Sequence, residues 1–156
     1  MATFSDEKSL ISLFTQKYGS KMPTLVSELV IPIIEQFYYN NYLAGRKYVR
    51  IDLAALDKKT DSIIFIEAEN GLYVQHPQIF LPFCNYLYIL SNYDESPYRG
   101  KQVEWCKKEG IGIIELNKNG EFVETLPTKE HQIYPNVKAY VKARIIKRLR
   151  RSGRNA

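Results

Sequence analysis

The sequence predicts an α/β protein: a mixed sheet with a central antiparallel hairpin and a parallel βαβ edge, and helices on both faces. Two apolar runs, Tyr48 to Leu56 and Ser62 to Ala68, flank the polar cluster Asp57-Lys58-Lys59-Thr60-Asp61, which is the pattern of a β-hairpin. Tyr86 to Leu90, a helical stretch from Tyr98 to Glu109, and Ile111 to Leu116 then follow as strand, helix, strand. That order makes the two strands parallel with a right-handed crossover. Helical periodicity brackets these segments at both ends of the chain.

In chain order, Ser5-Asp6-Glu7 caps a first helix whose apolar residues Leu10, Ile11, Leu13, Phe14 and Tyr18 recur at helical spacing, and Gly19 ends it. Met22-Pro23 opens a second segment running through Leu43. Leu25, Val26, Leu29, Val30, Ile33, Ile34 and Phe37 form a helical stripe along it, and Pro32 is expected to kink that helix or divide it. Gly45 closes the segment and Arg46-Lys47 leads into the hairpin. The run from Ser62 to Ile66 is continuously apolar after its first residue, as expected of a central strand covered on both faces. Asn70-Gly71 is a tight turn, and Leu72 to Asn85, with Pro77 and Pro82, reads as loop with a short helix. Gly110 stops the next helix, and Asn119-Gly120 turns a hairpin into Glu121-Phe-Val-Glu124. After a loop from Leu126 to Pro135, Val137, Val141, Ile145 and Leu149 are spaced by four, giving a C-terminal helix with one apolar stripe. The expected organisation is an α/β core over residues 1–135 and a basic helix and tail over residues 136–156.

With 156 residues, 45% hydrophobic and 25% charged, the composition is that of one globular domain rather than a disordered or fibrous chain. No apolar run approaches the ~18–20 residues of a membrane span, and no basic-then-apolar leader opens the chain. The expected setting is therefore intracellular, cytoplasm or host cytoplasm, with no membrane partner. Cys84 and Cys106 lie in apolar or amphipathic segments and suit buried thiols better than a disulfide. His76 and His131, with no CxxC pair, argue against a structural zinc site.

The net charge of +5 is localised. Lys138, Lys142, Arg144, Lys147, Arg148, Arg150, Arg151 and Arg154 fall in the last 21 residues, with no acid among them. The rest of the chain carries 14 of the 22 basic residues against all 17 acidic ones. A mildly acidic body with a basic end suits a polyanion, and the seven cations from Lys138 to Arg151 are the expected phosphate contacts. A solvated helical face is the competing reading.

Chemistry concentrates in the hairpin. If Asp57 pairs with Ser62, Asp52 lies opposite Glu67, and Arg50 opposite Glu69. Opposed side chains on such a pair are roughly 5 Å apart at Cβ, so Asp52 and Glu67 can share one ion. Like charges so placed are destabilising unless a cation stands between them, and Mg²⁺ or Mn²⁺ is the fitting one. Glu28 and Glu35 are further candidate ligands. Tyr38, Tyr39, Tyr42 and Tyr73 are candidates for stacking on bases, with core packing as the competing use.

The order helix, Asp-bearing strand, turn, strand ending in acid-x-acid, then strand, helix, strand resembles the restriction-endonuclease-like, PD-(D/E)XK nuclease superfamily over roughly Glu28 to Leu116. Arg50-Ile51-Asp52 stands where that family has its Asp, and Ile66-Glu67-Ala68-Glu69 is similar to its (D/E)-x-K. Lys101-Gln102 to Gly110-Ile111-Gly112-Ile113-Ile114 looks like the later helix and strand. The resemblance implies Mg²⁺- or Mn²⁺-dependent hydrolysis of DNA. Asp52 and Glu67 would be the metal ligands, and Asp52, Glu67 and Glu69 the catalytic set. Glu69, however, occupies the place usually held by a Lys that helps position or activate the attacking water. Either Lys47 or Lys101 reaches the site instead, or Arg50 neutralises Glu69 and leaves a non-catalytic nucleic-acid-binding or assembly protein on a nuclease-like fold. Branched and single-stranded DNA both remain open as substrates, as does a homodimer.

Overall fold

A computed structural model describes residues 6–33 and 45–154. One six-stranded sheet runs in sequence order: β1 (Val26–Pro32), β2 (Tyr48–Asp57), β3 (Ser62–Glu69), β4 (Tyr86–Asn92), β5 (Gly112–Leu116) and β6 (Phe122–Leu126). β1, β2 and β3 form an antiparallel meander, β3, β4 and β5 are parallel, and β6 closes the far edge antiparallel to β5. Among the described residues no helix is long and apolar enough to cross a membrane.

The sheet separates two apolar layers. Helix α1 (Glu7–Tyr18) covers one face, where Leu10 and Phe14 meet Leu53, Ile66, Ala68 and Leu90. Helix α2 (Arg99–Glu109), helix α3 (Pro135–Arg151) and a 3-10 segment, Pro77–Phe83, cover the other. There Phe80, Phe83, Cys106, Val141 and Ile145 pack on Ile51, Phe65 and Ile89. Local signals explain the helix ends. The Asp6 carboxylate caps α1 by accepting from the Ser9 N–H at 2.7 Å, and Gly110 leaves α2 at φ 74°, a left-handed conformation favouring glycine. Gly112 has a different reason: a Cβ there would lie 2.5 Å from the Tyr88 ring and 2.9 Å from the Thr128 nitrogen. Both cysteines are buried free thiols.

The four-residue spacing in the last segment reports core packing. Val137, Val141, Ile145 and Leu149 are all at most 2% exposed and join the layer beneath the sheet. At about 1.5–3 kcal/mol per buried aliphatic side chain, α3 is a large contributor to the fold.

The second segment differs from expectation: the described part of it is strand β1, not helix. Its apolar residues imitate helical spacing because the strand is irregular. Glu28 sits at φ 51° between the pairs Ser27↔Leu53 and Leu29↔Ile51, so Val26 and then Leu29 and Ile31 face inward, giving a three-residue step inside a two-residue pattern. Pro32, read as a kink, is the last residue of this edge strand, where a missing N–H is tolerated. Residues 34–44, including Glu35, Tyr38, Tyr39 and Tyr42, lie outside the described residues.

Candidate functional site

β2 and β3 pair in the predicted register, Asp57↔Ser62 through Leu53↔Ile66. At the next step the backbone ladder gives way to side chains. The Asp52 N–H donates to Glu67 Oε1 at 3.0 Å, and the Ala68 N–H donates to Asp52 Oδ2 at 2.9 Å. Each strand thus satisfies a backbone donor with a carboxylate from the other, as buried donors require. Beyond this point β2 continues with β1 and β3 with β4, so the acids lie where the two strands separate. The inward side of β2 also changes here, from Val49 and Ile51 in the α3 layer to Leu53 and Ala55 in the α1 layer.

Glu67 is 4% exposed, and its pKa is pushed up to about 10, first by burial and then by the Asp52 charge. It therefore holds a proton near neutrality unless a cation replaces it. Glu69 follows two residues on. Across from both is His76, in the loop before the 3-10 segment, with Nδ1 2.9 Å from Glu69 Oε1 and 3.5 Å from Glu67 Oε2. Its hydrogen bond to Glu69 raises the imidazole pKa, while burial and the nearby Arg46 act the other way. Glu67, Glu69 and His76 each offer a ligand atom within 4.8 Å of the others. Two ligands on opposite sides of a Mg²⁺-sized ion stand about 4 Å apart, so this donor set fits one divalent ion with small side-chain adjustment.

Two members were not singled out from sequence. His76 gives no linear signal, because loop closure brings it to the end of β3. Glu7, in the first turn of α1, has its pKa raised by burial and then by the Glu69 and Asp52 charges, so it borders the cluster. Its only sequence role was helix capping. Among the described residues the partner of Glu69 is His76, not Arg50, Lys47 or Lys101; all three of those cations are exposed. Glu28 is exposed, at a left-handed backbone position of β1 (φ 51°) that the β1–β2 register sets across from Asp52.

The basic helix is largely engaged within the molecule. Lys138 and Lys142 pair with Asp61 in the β2–β3 turn. Arg144 donates to the Val30 carbonyl, Arg148 to that of Ser27 and Arg154 to that of Leu25, capping the open edge of β1 and the residue before it. Lys147, Arg150 and Arg151 remain exposed on the outer side of α3.

Fold and site together define an α/β protein with a carboxylate and imidazole cluster at the end of the central strands of a mixed sheet. No family model matches the chain, and no curated protein matches it. Among solved structures, a protein of unknown function from Silicibacter pomeroyi is similar, with a TM-score of 0.55 and 14% identity over 94% of this chain and 88% of that one. At that identity the likeness shows the shared fold alone.

Proposed function

We propose that the protein is a metal-dependent nuclease hydrolysing DNA phosphodiester bonds. The observation supporting this most directly is the buried Glu67 carboxyl between Asp52, Glu69 and His76, a group that burial and the Asp52 charge keep protonated unless a cation takes the proton's place. Glu67, Glu69 and His76 would hold it, with Asp52 completing the shell through Glu67. Bound there, Mg²⁺ or Mn²⁺ would screen the phosphate, lower the pKa of a coordinated water and stabilise the leaving oxygen. An imidazole in the set favours Mn²⁺ over Mg²⁺, which prefers oxygen donors.

The chain's own groups have separate tasks in this reading. Glu67 gives up its proton on loading, so metal affinity rises with pH. Glu69, two residues beyond Glu67 on β3, would orient and deprotonate the attacking water through the carboxylate oxygen not given to the metal, in place of the Lys that the resembled nucleases carry. Lys147, Arg150 and Arg151 supply sequence-independent phosphate affinity.

The test is cleavage of plasmid and oligonucleotide DNA with Mg²⁺ and with Mn²⁺. Asp52→Asn and Glu67→Gln are expected to lose roughly a hundredfold or more of the activity while DNA binding persists. Both variants cutting like the parent would refute the proposal. The second reading, a non-cleaving DNA-binding protein on the same scaffold, draws on the Glu69–His76 ion pair, which neutralises Glu69 without any metal. A salt-sensitive gel shift with no cleavage under any divalent ion would decide for it.

A further inference from the structure

The geometry points to DNA with unpaired bases as the substrate class of this site, held by stacking on a rim of exposed tyrosines around the carboxylates. This rests on the nuclease reading and narrows it. Of the five tyrosines exposed among the described residues, four gather at one end of the sheet. Tyr48 begins β2, which runs antiparallel to β3, so it lies at the same end of the sheet as Glu69. Tyr73 is in the loop that leaves β3 and carries His76. Tyr93 directly follows β4, which is parallel to β3, and Tyr98 caps α2 just beyond. Their relative exposures are 57%, 52%, 48% and 68%.

The loops bearing them are tied together. The Leu72 N–H donates to Asp94 Oδ2 at 3.4 Å, and the Val74 N–H donates to Gln102 Oε1 of α2 at 2.9 Å, so Tyr73 is fixed relative to Tyr93 and Tyr98. One face of Tyr93 is taken by the Arg99 guanidinium, 4.8 Å from the ring centroid. Positive charge alternates with the rings. Exposed Arg46, Lys47 and Arg50 flank Tyr48 along the chain, and Lys101 stands in the first turn of α2 after Tyr98. Scattered exposed aromatics need no explanation, but aromatic rings interleaved with cations around a phosphate-directed site have the chemistry of a single-strand track. Rings stack on base faces, and a duplex shows those faces only at its ends, so the rim discriminates for unpaired strand.

The proposal is tested by fluorescence anisotropy in chelator, where chemistry is silent, using labelled oligothymidylate and a blunt hairpin duplex of equal nucleotide count. The oligothymidylate is expected to bind at least about tenfold tighter, and Tyr73→Ala with Tyr98→Ala to weaken it by about tenfold or more. The Tyr73→Phe, Tyr98→Phe protein, which keeps the rings, should bind like the parent. Tyr134→Ala, at the start of α3, should leave binding unchanged. Equal affinity for strand and duplex, or indifference to the paired alanines in a protein with parental circular dichroism, overturns the proposal. Because no divalent ion is present, these outcomes are independent of whether Asp52 and Glu67 support cleavage.

Discussion

The carboxylate end of the sheet and the basic helix α3 carry charge in opposite ways. At the end of β3, Asp52, Glu67 and Glu69 crowd together with Glu7 at their border, and a single imidazole stands among them. On α3 and the residues just after it, five of the eight C-terminal cations are bonded to the chain itself, to Asp61 or to carbonyls of β1 and the residue before it. Charge already matched internally is architecture, whereas acids packed so closely that one of them must keep a proton leave a place for a cation to take. By composition α3 is the more conspicuous binding element; by contact it is mostly structural.

The strongest challenge to this contrast removes the apolar side of α3. Ile145→Ala, at a fully buried position, should destabilise the protein by about 2–5 kcal/mol, seen as a lower urea midpoint with unchanged slope. Deleting residues 136–156 should leave no folded core, because the stripe from Val137 to Leu149 goes with them. A folded truncation that merely lost DNA affinity would make α3 an appendage after all.

The next effect tests the acidic end. Glu67 has a raised folded pKa, about 10, so the metal-free folded state retains a proton that the unfolded chain releases above its ordinary range near 4.5. The unfolded state then binds fewer protons, and stability falls as pH rises from about 4.5 toward 10. Glu67→Gln, resembling the protonated form, should flatten that decline and raise metal-free stability by about 1–3 kcal/mol at pH 8. It should also abolish stabilisation by Mn²⁺, which in the parent should reach about 2.7 kcal/mol at a hundredfold excess over the dissociation constant. Mn²⁺ shifting the melting of parent and variant alike would place the ion elsewhere.

A smaller pair of changes separates the two kinds of cation on α3. Arg144→Ala with Arg148→Ala should lower stability by about 1 kcal/mol by uncapping β1, and leave the salt dependence of DNA binding unchanged. Replacing Lys147, Arg150 and Arg151 with alanine should do the reverse, reducing the salt slope by roughly 2 for single-stranded DNA while the melting curve stays put.

How much of this was legible in the sequence depends on the range of the signal. The hairpin register followed from one turn, with Asp57 paired to Ser62, and it brought Asp52 to Glu67 as expected. α1, α2 and α3 were equally local, α1 and α2 marked by period and a terminal residue and α3 by its four-residue spacing alone. β1 differs from the helix expected there because the left-handed backbone at Glu28 replaces a two-residue rhythm with a three-residue step, which no window of apolar spacing distinguishes from a helix. His76 and Glu7 were missed for a different reason. One arrives on a loop and the other on a helix from the far end of the chain, and tertiary packing alone makes them neighbours of β3. The cations of α3 were counted correctly but not their partners, since carbonyls along a strand edge leave no mark in a charge tally.

The smallest prediction concerns Asp61, where the two regimes meet in a single residue. It is an acid like those at the site, yet its situation resembles that of α3, because Lys138 and Lys142 reach it in solvent and hold its carboxyl below the usual range. Exposed pairs contribute little after screening and side-chain ordering. Its backbone, at φ 52°, favours Asn as readily as Asp. Asp61→Asn should therefore leave the melting temperature within experimental scatter at low and high salt, although it removes a carboxylate with two cationic partners. A clear, salt-sensitive loss of stability would mean that the Asp61 contacts fasten the Lys138 end of α3 to the hairpin turn. Charge pairing would then share with apolar packing the work of holding that helix.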